Sequence, residues 1–247
     1  MGDLGVLLLF ALPIAAAIGF ILIRKRVRRA ERTASTCGKT PSPGGTVDTR
    51  RIYIGPELWD GDRSPGVPTH PQAHPGGGFA FDVPTGDGEK VDYVTFNHGS
   101  LAGHDRIRVK GRIEMAEGTE LLAVPERDLA GRYPAQITMY FQREGDNWSA
   151  KGDYEDDRWY ATFVRQRLQA GDFEMIAPLD GPWTATQRSS NDPNAELPLV
   201  YNPAGFRDAI THACCVGFVF GGNDIGFGHG MKATGPARFI VTELAVE

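Results

Sequence analysis

The stretch DRIRVKGRIEM, residues 105–115, alternates apolar and charged side chains along its length. A period of two predicts a β-strand with one face in a core and the other in water. The water-facing side would carry four basic residues: Arg106, Arg108, Lys110 and Arg112. This stripe is suited to binding an anionic polymer or headgroup, to guarding a sheet edge, or to pairing with acids on neighbouring strands. The acidic balance of the domain favours pairing.

Similar short apolar or alternating runs recur along the chain, separated by turns rich in Gly, Asp and Pro. Further strands are predicted at residues 91–97, 135–142, 158–164, 173–177, 183–187, 215–220 and 238–246. In the run 158–164, Trp159, Ala161 and Phe163 would share the core face and Tyr160 would point outward. Residues 54–90 are rich in loop signals and are expected to wrap an edge of the sheets. The sequence therefore predicts a mostly β, jelly-roll-like antiparallel β-sandwich.

Two other local patterns complete the fold prediction. In FRDAITHA, residues 206–213, apolar side chains recur at helical spacing and predict one short helix. The 31 Gly and 17 Pro favour turns and short strands. Three Cys do not make a disulfide framework, and the adjacent Cys214 and Cys215 are expected as buried thiols in an apolar strand.

The first 23 residues have the features of a membrane segment. Residues 4–23 contain no charged side chain, and a helix of that length spans about 30 Å. A cleaved signal peptide would instead have basic residues before the apolar run and a small-residue cleavage site after it. Here Asp3 precedes the run and RKRVRR follows it. We expect a three-residue tail, residues 1–3, and then an uncleaved single-pass transmembrane helix.

Basic residues after the predicted span set its expected orientation. Lys and Arg near a span stay on the cytoplasmic side, so the domain is predicted there, with a periplasmic or extracellular position as the alternative. Anionic lipid headgroups would attract the basic cluster of Arg24, Lys25, Arg26, Arg28 and Arg29. Residues 24–50 are otherwise small, polar and rich in Pro and Gly, which is typical of a flexible linker. The sandwich is expected to occupy residues 51–247.

Charge is divided unevenly along the chain. Residues 24–51 carry nine Lys or Arg and two acids, and residues 1–23 carry Asp3 alone. Because the whole chain has a net charge of −5, residues 52–247 are left with −11. Binding to a phosphate backbone needs clustered Lys and Arg, so the acidic domain is not expected to bind nucleic acid.

The order of elements from about residue 91 to the end resembles a known class of domain. A basic alternating strand is followed by ITMYFQREGDNW, DRWYATF, FRDAI, VGFVFGGNDIGFGHG and a closing ARFIVTELAVE strand. This order is similar to jelly-roll β-sandwich domains of the galactose-binding and carbohydrate-binding-module type. Domains of this class include sugar binders, protein binders and domains without a known ligand, so the resemblance implies a non-catalytic binding domain and favours a carbohydrate or another polyol as its ligand. Glycan binders usually face outward, which conflicts with the orientation that the charges predict.

The stretch GDNWSAKGDYEDDRWY, residues 145–160, concentrates aromatic rings and carboxylates. A sugar ring stacks its apolar face on Trp or Tyr and forms hydrogen bonds with Asp, Asn and Arg. The ligand contacts expected here are Trp148, Tyr154, Asp156, Arg158 and Tyr160. The alternative is a hairpin with solvated acids at its tip. These acids also leave a structural Ca²⁺ possible, without any recognisable ligand spacing; no other cofactor is expected.

A second glycine-rich stretch, GGNDIGFGHG at residues 221–230, lacks both nucleotide-binding glycine motifs. It predicts a loop with positive φ between two strands. Asn223, Asp224 and His229 are expected to contact a ligand at the rim of the sandwich or, alternatively, to stabilise the turn.

Taken with the predicted anchor, these patterns indicate a membrane-anchored, non-catalytic ligand-binding sandwich whose partners are membrane lipid and carbohydrate. A membrane-tethered scaffold for a protein partner is the alternative function. A glycan-active hydrolase ranks last, because adjacent acids on a strand point to opposite faces and cannot form a glycosidase pair. No catalytic residue is assigned, since the sequence contains no G-x-S-x-G elbow or zinc-binding helix.

Overall fold

A computed structural model describes most of the domain. The described residues are 48–55, 67–124, 132–146, 154–186, 196–198, 202–222 and 226–247. The predicted transmembrane helix, the basic cluster at residues 24–29, most of the linker, Trp148, Asn223 and Asp224 lie outside these ranges. Within the ranges, no helix is long and apolar enough to cross a membrane.

Two antiparallel sheets make up most of the structure, with strands numbered along the chain. The larger sheet has the order β1 (Ile52–Gly55), β4 (Tyr93–Asn97), β13 (Ala213–Gly222), β7 (Gln136–Arg143), β8 (Arg158–Tyr160), β11 (Thr184–Thr186) and β12 (Glu196–Pro198). Beside this path, β14 (Gly226–Phe227) pairs with β13 and β9 (Gln166–Arg167) pairs with β7. The fold is therefore mostly β and antiparallel, as the sequence predicts.

The smaller sheet has five strands. Its order is β10 (Gly171–Pro178), β5 (Arg106–Met115), β16 (Ala237–Val246), β3 (Phe79–Asp82) and β2 (Gln72–Ala73). A separate two-stranded pair joins β15 (Met231–Ala233) to β6 (Leu121–Ala123). The other elements are an α-helix, α1 (Pro203–Thr211), and two short 3-10 turns, Thr49–Arg51 and Thr162–Val164.

The core lies between the two sheets in a sandwich-like arrangement. The apolar side of β5, with Val109 as an example, belongs to the same buried cluster as Phe218 of β13. Phe239 of β16 joins the sheets, because its ring packs against Phe81 at 5.3 Å and against Phe218 at 5.6 Å. Side chains that alternate along each strand thus interdigitate across one apolar layer.

The basic side of β5 faces away from that core and contacts acids. Arg108 lies 2.7 Å from Glu174 of β10, and Lys110 lies 3.5 Å from Glu243 of β16. Arg106 pairs with Glu247 at 2.5 Å. Since β10 and β16 flank β5 on both sides, β5 is an interior strand. The prediction that the stripe pairs with acids on neighbouring strands is confirmed, and the edge-strand alternative is wrong.

The predicted helix forms, and α1 begins three residues before the predicted run. Asn202 caps its first turn by accepting a hydrogen bond from the backbone N–H of Gly205, and Pro203 occupies the first helical position. On the inner side, Phe206 packs edge-on against Trp159, with ring centroids 4.9 Å apart. Trp159 is fully buried, as its position on the core face predicts.

Two sequence expectations are wrong in detail. The run 158–164 is not one strand, because the backbone at Ala161 leaves the extended region and the Thr162–Val164 turn follows. Phe163 is consequently partly exposed beside Trp183 instead of entering the core. Residues 54–90 also do more than wrap an edge, since β3 lies inside the smaller sheet between β2 and β16. The four residues of β3, FAFD, are too few for their alternation to distinguish a strand from a loop.

Candidate functional site

The outer face of the larger sheet is the unusual surface of this domain. In β13, Val216, Phe218 and Phe220 point into the core, so Cys215 and Val219 lie on the opposite face. A sheet with one packed face normally exposes the other to water. Here every residue of β13 is buried, so the outer face is covered as well.

Three tyrosines form the centre of that outer face. Tyr140 of β7 lies opposite Tyr160 of β8, and Tyr93 of β4 lies opposite Val219. The rings of Tyr93 and Tyr140 meet edge-on at 5.2 Å, and those of Tyr140 and Tyr160 stack at 6.0 Å. Polar side chains on the same face surround them: Thr95, Asn97, Thr138, Gln142 and Arg158. We call this set of eight residues the tyrosine face.

Hydrogen bonds join the tyrosines to one another and to their neighbours. The hydroxyl oxygens of Tyr93 and Tyr160 are 3.1 Å apart, and Tyr140 is hydrogen-bonded to Thr95. Nη1 of Arg158 donates to the Tyr160 hydroxyl at 3.5 Å. Burial raises the pKa of Tyr140 well above its usual value, so its hydroxyl stays protonated. Tyr93, Tyr160 and Arg158 are thus linked by one chain of hydrogen bonds, and Tyr140 and Thr95 by another.

A buried ion pair closes one end of the tyrosine face. Nε of Arg158 lies 2.6 Å from Oδ2 of Asp146, which also accepts a hydrogen bond from Gln142 at 2.9 Å. The side chains of Arg158 and Asp146 are 5% and 0% exposed. Asp146 therefore neutralises Arg158 inside the protein rather than in water.

Glycine makes room for the tyrosine rings at two places. A Cβ at Gly217, in the middle of β13, would clash with the backbone carbonyl of Val94 and lie 3.0 Å from the Tyr140 ring. A Cβ at Gly228 would clash with the Tyr93 hydroxyl, and Gly228 has a positive φ of 91°. The positive φ predicted for the glycine-rich stretch is confirmed here. Because neither glycine has a side chain, the Tyr140 ring can approach β13 and the Tyr93 hydroxyl can approach the glycine-rich loop.

The sequence-predicted site residues occupy different surroundings. Arg158 and Tyr160 belong to the tyrosine face, whereas Tyr154 is 37% exposed in the turn before β8. The Asp156 carboxylate is hydrogen-bonded to Asn202 at the start of α1, and burial raises its pKa. His229 is half-buried, and its backbone carbonyl accepts a hydrogen bond from Lys90 at 3.2 Å. The structure thus gives Asp156 a contact with the helix.

The two predicted stretches lie at opposite ends of the larger sheet. Arg158 of β8 pairs with Gln142 of β7, and Gln142 pairs with Cys215 near the beginning of β13. The glycine-rich loop leaves the other end of β13, after Gly222. At roughly 3.3 Å per residue, the strand between Cys215 and Gly222 is about 23 Å long.

The tyrosine face connects these two ends. Gly228, in the glycine-rich loop, packs against the Tyr93 hydroxyl. That hydroxyl bonds to Tyr160, which accepts from Arg158 in the hairpin stretch. Within the described residues, a line of contacts thus runs from the loop through Tyr93 and Tyr160 to Arg158 and joins the two predicted stretches.

The hairpin acids are not all solvated, in contrast to the alternative considered from the sequence. Strands β7 and β8 do form an antiparallel hairpin. Asp157 at its end is 3% exposed, and Oδ1 lies 3.3 Å from Nη1 of Arg143. Burial, helped by the negative charge of Asp146, raises the Asp157 pKa to about 6. Arg143 also contacts Asp208 of α1 at 2.9 Å, so the pair links the hairpin to the helix.

Among the residues that the structure describes, no group of three His, Cys, Asp or Glu side chains is placed to hold a metal ion. A structural Ca²⁺ that uses acids outside these residues stays a prediction. The buried Cys215 thiol, whose pKa is raised to about 12 by burial, hydrogen-bonds to Asn97 at 3.6 Å.

Several residues of the site escaped the sequence interpretation. Tyr93, Tyr140 and Asp146 are not among the ligand contacts that the sequence predicts. The sequence did contain a sign of this face, because the polar positions of β4 and β7 carry Tyr, Thr, Asn and Gln and no charge.

Comparison with known proteins found no relative. No protein-family model matches the chain, and no curated protein matches its sequence.

Proposed function

We propose that the domain is a non-catalytic binding module for a carbohydrate or a related polyol. Its type would be the galactose-binding-like jelly roll that the element order resembles, held at a membrane by the predicted helix at residues 4–23. The observation that carries the proposal is the connected set of hydroxyl, amide and guanidinium groups among the stacked rings of the tyrosine face.

The chemistry of this face matches that of a sugar. Hydroxyl groups both donate and accept hydrogen bonds, and a polyol presents the same groups in return. Aromatic rings supply flat apolar surface for the C–H side of a sugar ring. The rings of Tyr140 and Tyr160, stacked at 6.0 Å, combine both properties on one sheet. They are 0% and 4% exposed, so the proposal requires that ligand binding uncovers them.

The contacts of the nearby acids favour binding over hydrolysis. A glycosidase needs two carboxylates that flank the scissile bond. Asp146 is bound to Arg158 and Gln142, Asp156 to Asn202, and Asp157 to Arg143. Each of these acids therefore has a structural contact of its own.

The proposal is tested by calorimetric titration of the full chain with neutral oligosaccharides, in a detergent that contains no sugar. Tyr160→Phe removes one hydroxyl from the network and should weaken binding about three- to tenfold, the value of one hydrogen bond. Tyr133→Phe removes a tyrosine hydroxyl that is not part of the tyrosine face and serves as the matched control. Absence of binding to every sugar, or unchanged affinity of Tyr160→Phe, would falsify the proposal.

The proposed anchor and orientation need a separate experiment. One fusion at the C-terminus should be a reporter that is active only outside the cytoplasm, and another a reporter that fluoresces only inside. The charge distribution predicts the cytoplasmic signal. An exported C-terminus would overturn that orientation and direct the search to envelope or extracellular glycans.

A protein-interaction scaffold is the second candidate, favoured by a different surface. Within the described residues, β10 pairs only with β5, which leaves its other edge open, and Ile176 on that strand is exposed. An extended peptide can add a strand to such an edge. Cross-linking in native membranes should yield a discrete adduct that Ile176→Lys abolishes, and no adduct should form if the edge is unused.

A further inference from the structure

The two cysteines at the beginning of β13 differ in their chemical state. Cys214 is disulfide-bonded, whereas the buried Cys215 is a thiol that donates to Oδ1 of Asn97 at 3.6 Å. The Sγ atoms of the two cysteines lie 3.4 Å apart, well beyond the roughly 2.0 Å of an S–S bond. The expectation of a buried thiol is therefore confirmed for Cys215 and wrong for Cys214.

The start of β1, which follows the predicted linker, lies close to Cys214. Ile52 pairs with Phe96 of β4, and Phe96 pairs with Val216 of β13. Neighbouring strands are about 4.8 Å apart, so roughly 10 Å separates Ile52 from Val216 across the sheet. Cys214 lies two residues before Val216 in the same strand. The first described residues after the linker and Cys214 therefore lie at the same end of the larger sheet.

The third cysteine of the chain, Cys37, is close enough in sequence to reach this end. It precedes Asp48, the first described residue, by eleven residues. A flexible segment of that length has a mean end-to-end distance of about 17–20 Å and extends to about 36–40 Å. The gap of roughly 10 Å across the sheet is well within that reach. Because the partner of Cys214 is not Cys215, Cys37 is the remaining cysteine of the chain.

We infer that Cys37 and Cys214 form a disulfide that fastens the linker to the larger sheet. The two thiols lose two protons and two electrons, which reduce the disulfide of an oxidising thiol catalyst to a dithiol. The pairing then stays fixed, because a thiolate is needed to attack a disulfide and burial raises the pKa of Cys215 to about 12. This inference does not depend on the proposed sugar binding.

The cross-link also bears on the side of the membrane that the domain occupies. Disulfides persist outside the cytoplasm and are rare inside it, where thiols are kept reduced. The cross-link therefore favours the periplasmic or extracellular position over the cytoplasmic one that the basic residues predict. Since glycan binders usually face outward, the cross-link and the proposed ligand agree on this side.

The first test counts thiols on the full chain, taken from native membranes and denatured. A polyethylene glycol maleimide adds a fixed mass to every thiol, and the number of labels is read from a gel. The unaltered chain should carry one label before reduction, on Cys215, and three after it. Three labels before reduction would overturn the cross-link.

The second test identifies the partner of Cys214. Cys37→Ser should release the Cys214 thiol, so this variant should carry two labels both before and after reduction. Cys215→Ser is the matched control, because it also removes one cysteine but should keep the cross-link, with no label before reduction and two after. No label on Cys37→Ser before reduction would mean that Cys214 bonds to Cys215 or to another chain, and would overturn the pairing. Cys37 lies outside the predicted sandwich and labelling takes place in denaturant, so the count does not require access to a folded core.

The two reporter fusions at the C-terminus test the compartment separately. The reporter that is active only outside the cytoplasm should give the signal. A cytoplasmic signal would overturn the inferred compartment, while the thiol count still decides the cross-link. Sugar titration is independent of both results, so failure of the cross-link leaves the proposed function intact.

Discussion

The outer faces of the two sheets are built on the same alternation and have opposite chemistry. On the smaller sheet, Arg108 and Lys110 meet Glu174 and Glu243 in a lattice of partly exposed ion pairs. On the larger sheet, the tyrosine face carries Tyr, Thr, Asn and Gln beside Arg158, and all of its residues except the half-buried Thr95 are at most 6% exposed. The alternation of residues along a strand thus identifies which side chains share a face of the sheet. The presence or absence of charge among those side chains indicates whether that face is exposed to water.

The same contrast separates two kinds of ion pair. Exposed pairs contribute about 0–1 kcal/mol, because water solvates both partners well when they are apart. The Arg158–Asp146 pair is buried, so removal of one partner leaves an uncompensated charge in the protein. Stability should therefore depend strongly on one pair in the larger sheet and weakly on several in the smaller one.

The largest expected effect comes from Asp146→Ala. Loss of the carboxylate leaves Arg158 buried without its counter-charge and removes the acceptor of Gln142. We expect the free energy of unfolding to fall by about 3–5 kcal/mol. Chemical denaturation monitored by tryptophan fluorescence measures this change.

A double variant sharpens the result. Asp146→Leu combined with Arg158→Met removes both charges and keeps most of the volume. It should recover more than half of the stability lost in Asp146→Ala, because no unpaired charge remains. If the double variant is as unstable as the single one, the loss comes from packing rather than charge, and the contrast between the two faces would fail.

Local patterns were sufficient for part of the fold. Strand β5 and helix α1 were predictable because their periods are clear and their apolar sides enter the core. The alternation of side chains along a strand is the same whether the outer face of the sheet is exposed to water or covered. The burial of Tyr140 could therefore not be predicted from the pattern of its strand. The predicted core position of Phe163 was wrong for a related reason. The alternation ends at a turn at Ala161, and the local sequence contains no Gly or Pro that would predict this turn.

The candidate site was only partly predictable. The rings and carboxylates of residues 145–160 pointed to Arg158 and Tyr160, which lie in the network. Their partner Asp146 lies in the same stretch without being predicted as a contact, and Tyr93 comes from a distant strand. Asp146 is distinguished from the other acids of its stretch by a buried contact with Arg158 across the hairpin. Such a contact depends on tertiary packing, and neither composition nor spacing contains it.

An intermediate effect is expected at Asp157, which lies beside the ion pair. Its pKa in the folded protein is about 6, above the usual 3.8, because burial disfavours the carboxylate. The folded state therefore binds a proton that the unfolded state has released between these values, and stability falls as the pH rises from about 4 to 6. Asp157→Asn should remove this slope and raise the free energy of unfolding at pH 7 by about 1–3 kcal/mol.

Denaturation of both proteins at several pH values across this window measures the effect of Asp157→Asn. The exposed Asp172→Asn is the control, and its pH profile should follow that of the unaltered chain. A loss of stability at pH 7 would mean that the attraction of Arg143 outweighs the burial of Asp157, contrary to the raised pKa.

The smallest effect is expected in the ion-pair lattice of the smaller sheet. Glu174 accepts a hydrogen bond from Arg108 at 2.8 Å and lies 3.8 Å from Lys110, yet it is 44% exposed. Glu174→Gln should reduce the free energy of unfolding by less than about 1 kcal/mol, because Arg108 keeps contacts with Glu243 and Glu247 and with water.

Salt provides the control for this prediction. The difference in unfolding free energy between Glu174→Gln and the unaltered chain should vanish near 1 M salt, where the screening length is about 3 Å. The same salt should leave the effect of Asp146→Ala almost unchanged, since a buried pair is screened much less. A loss above about 2 kcal/mol at Glu174 that persists in salt would show that both outer faces depend equally on their charges.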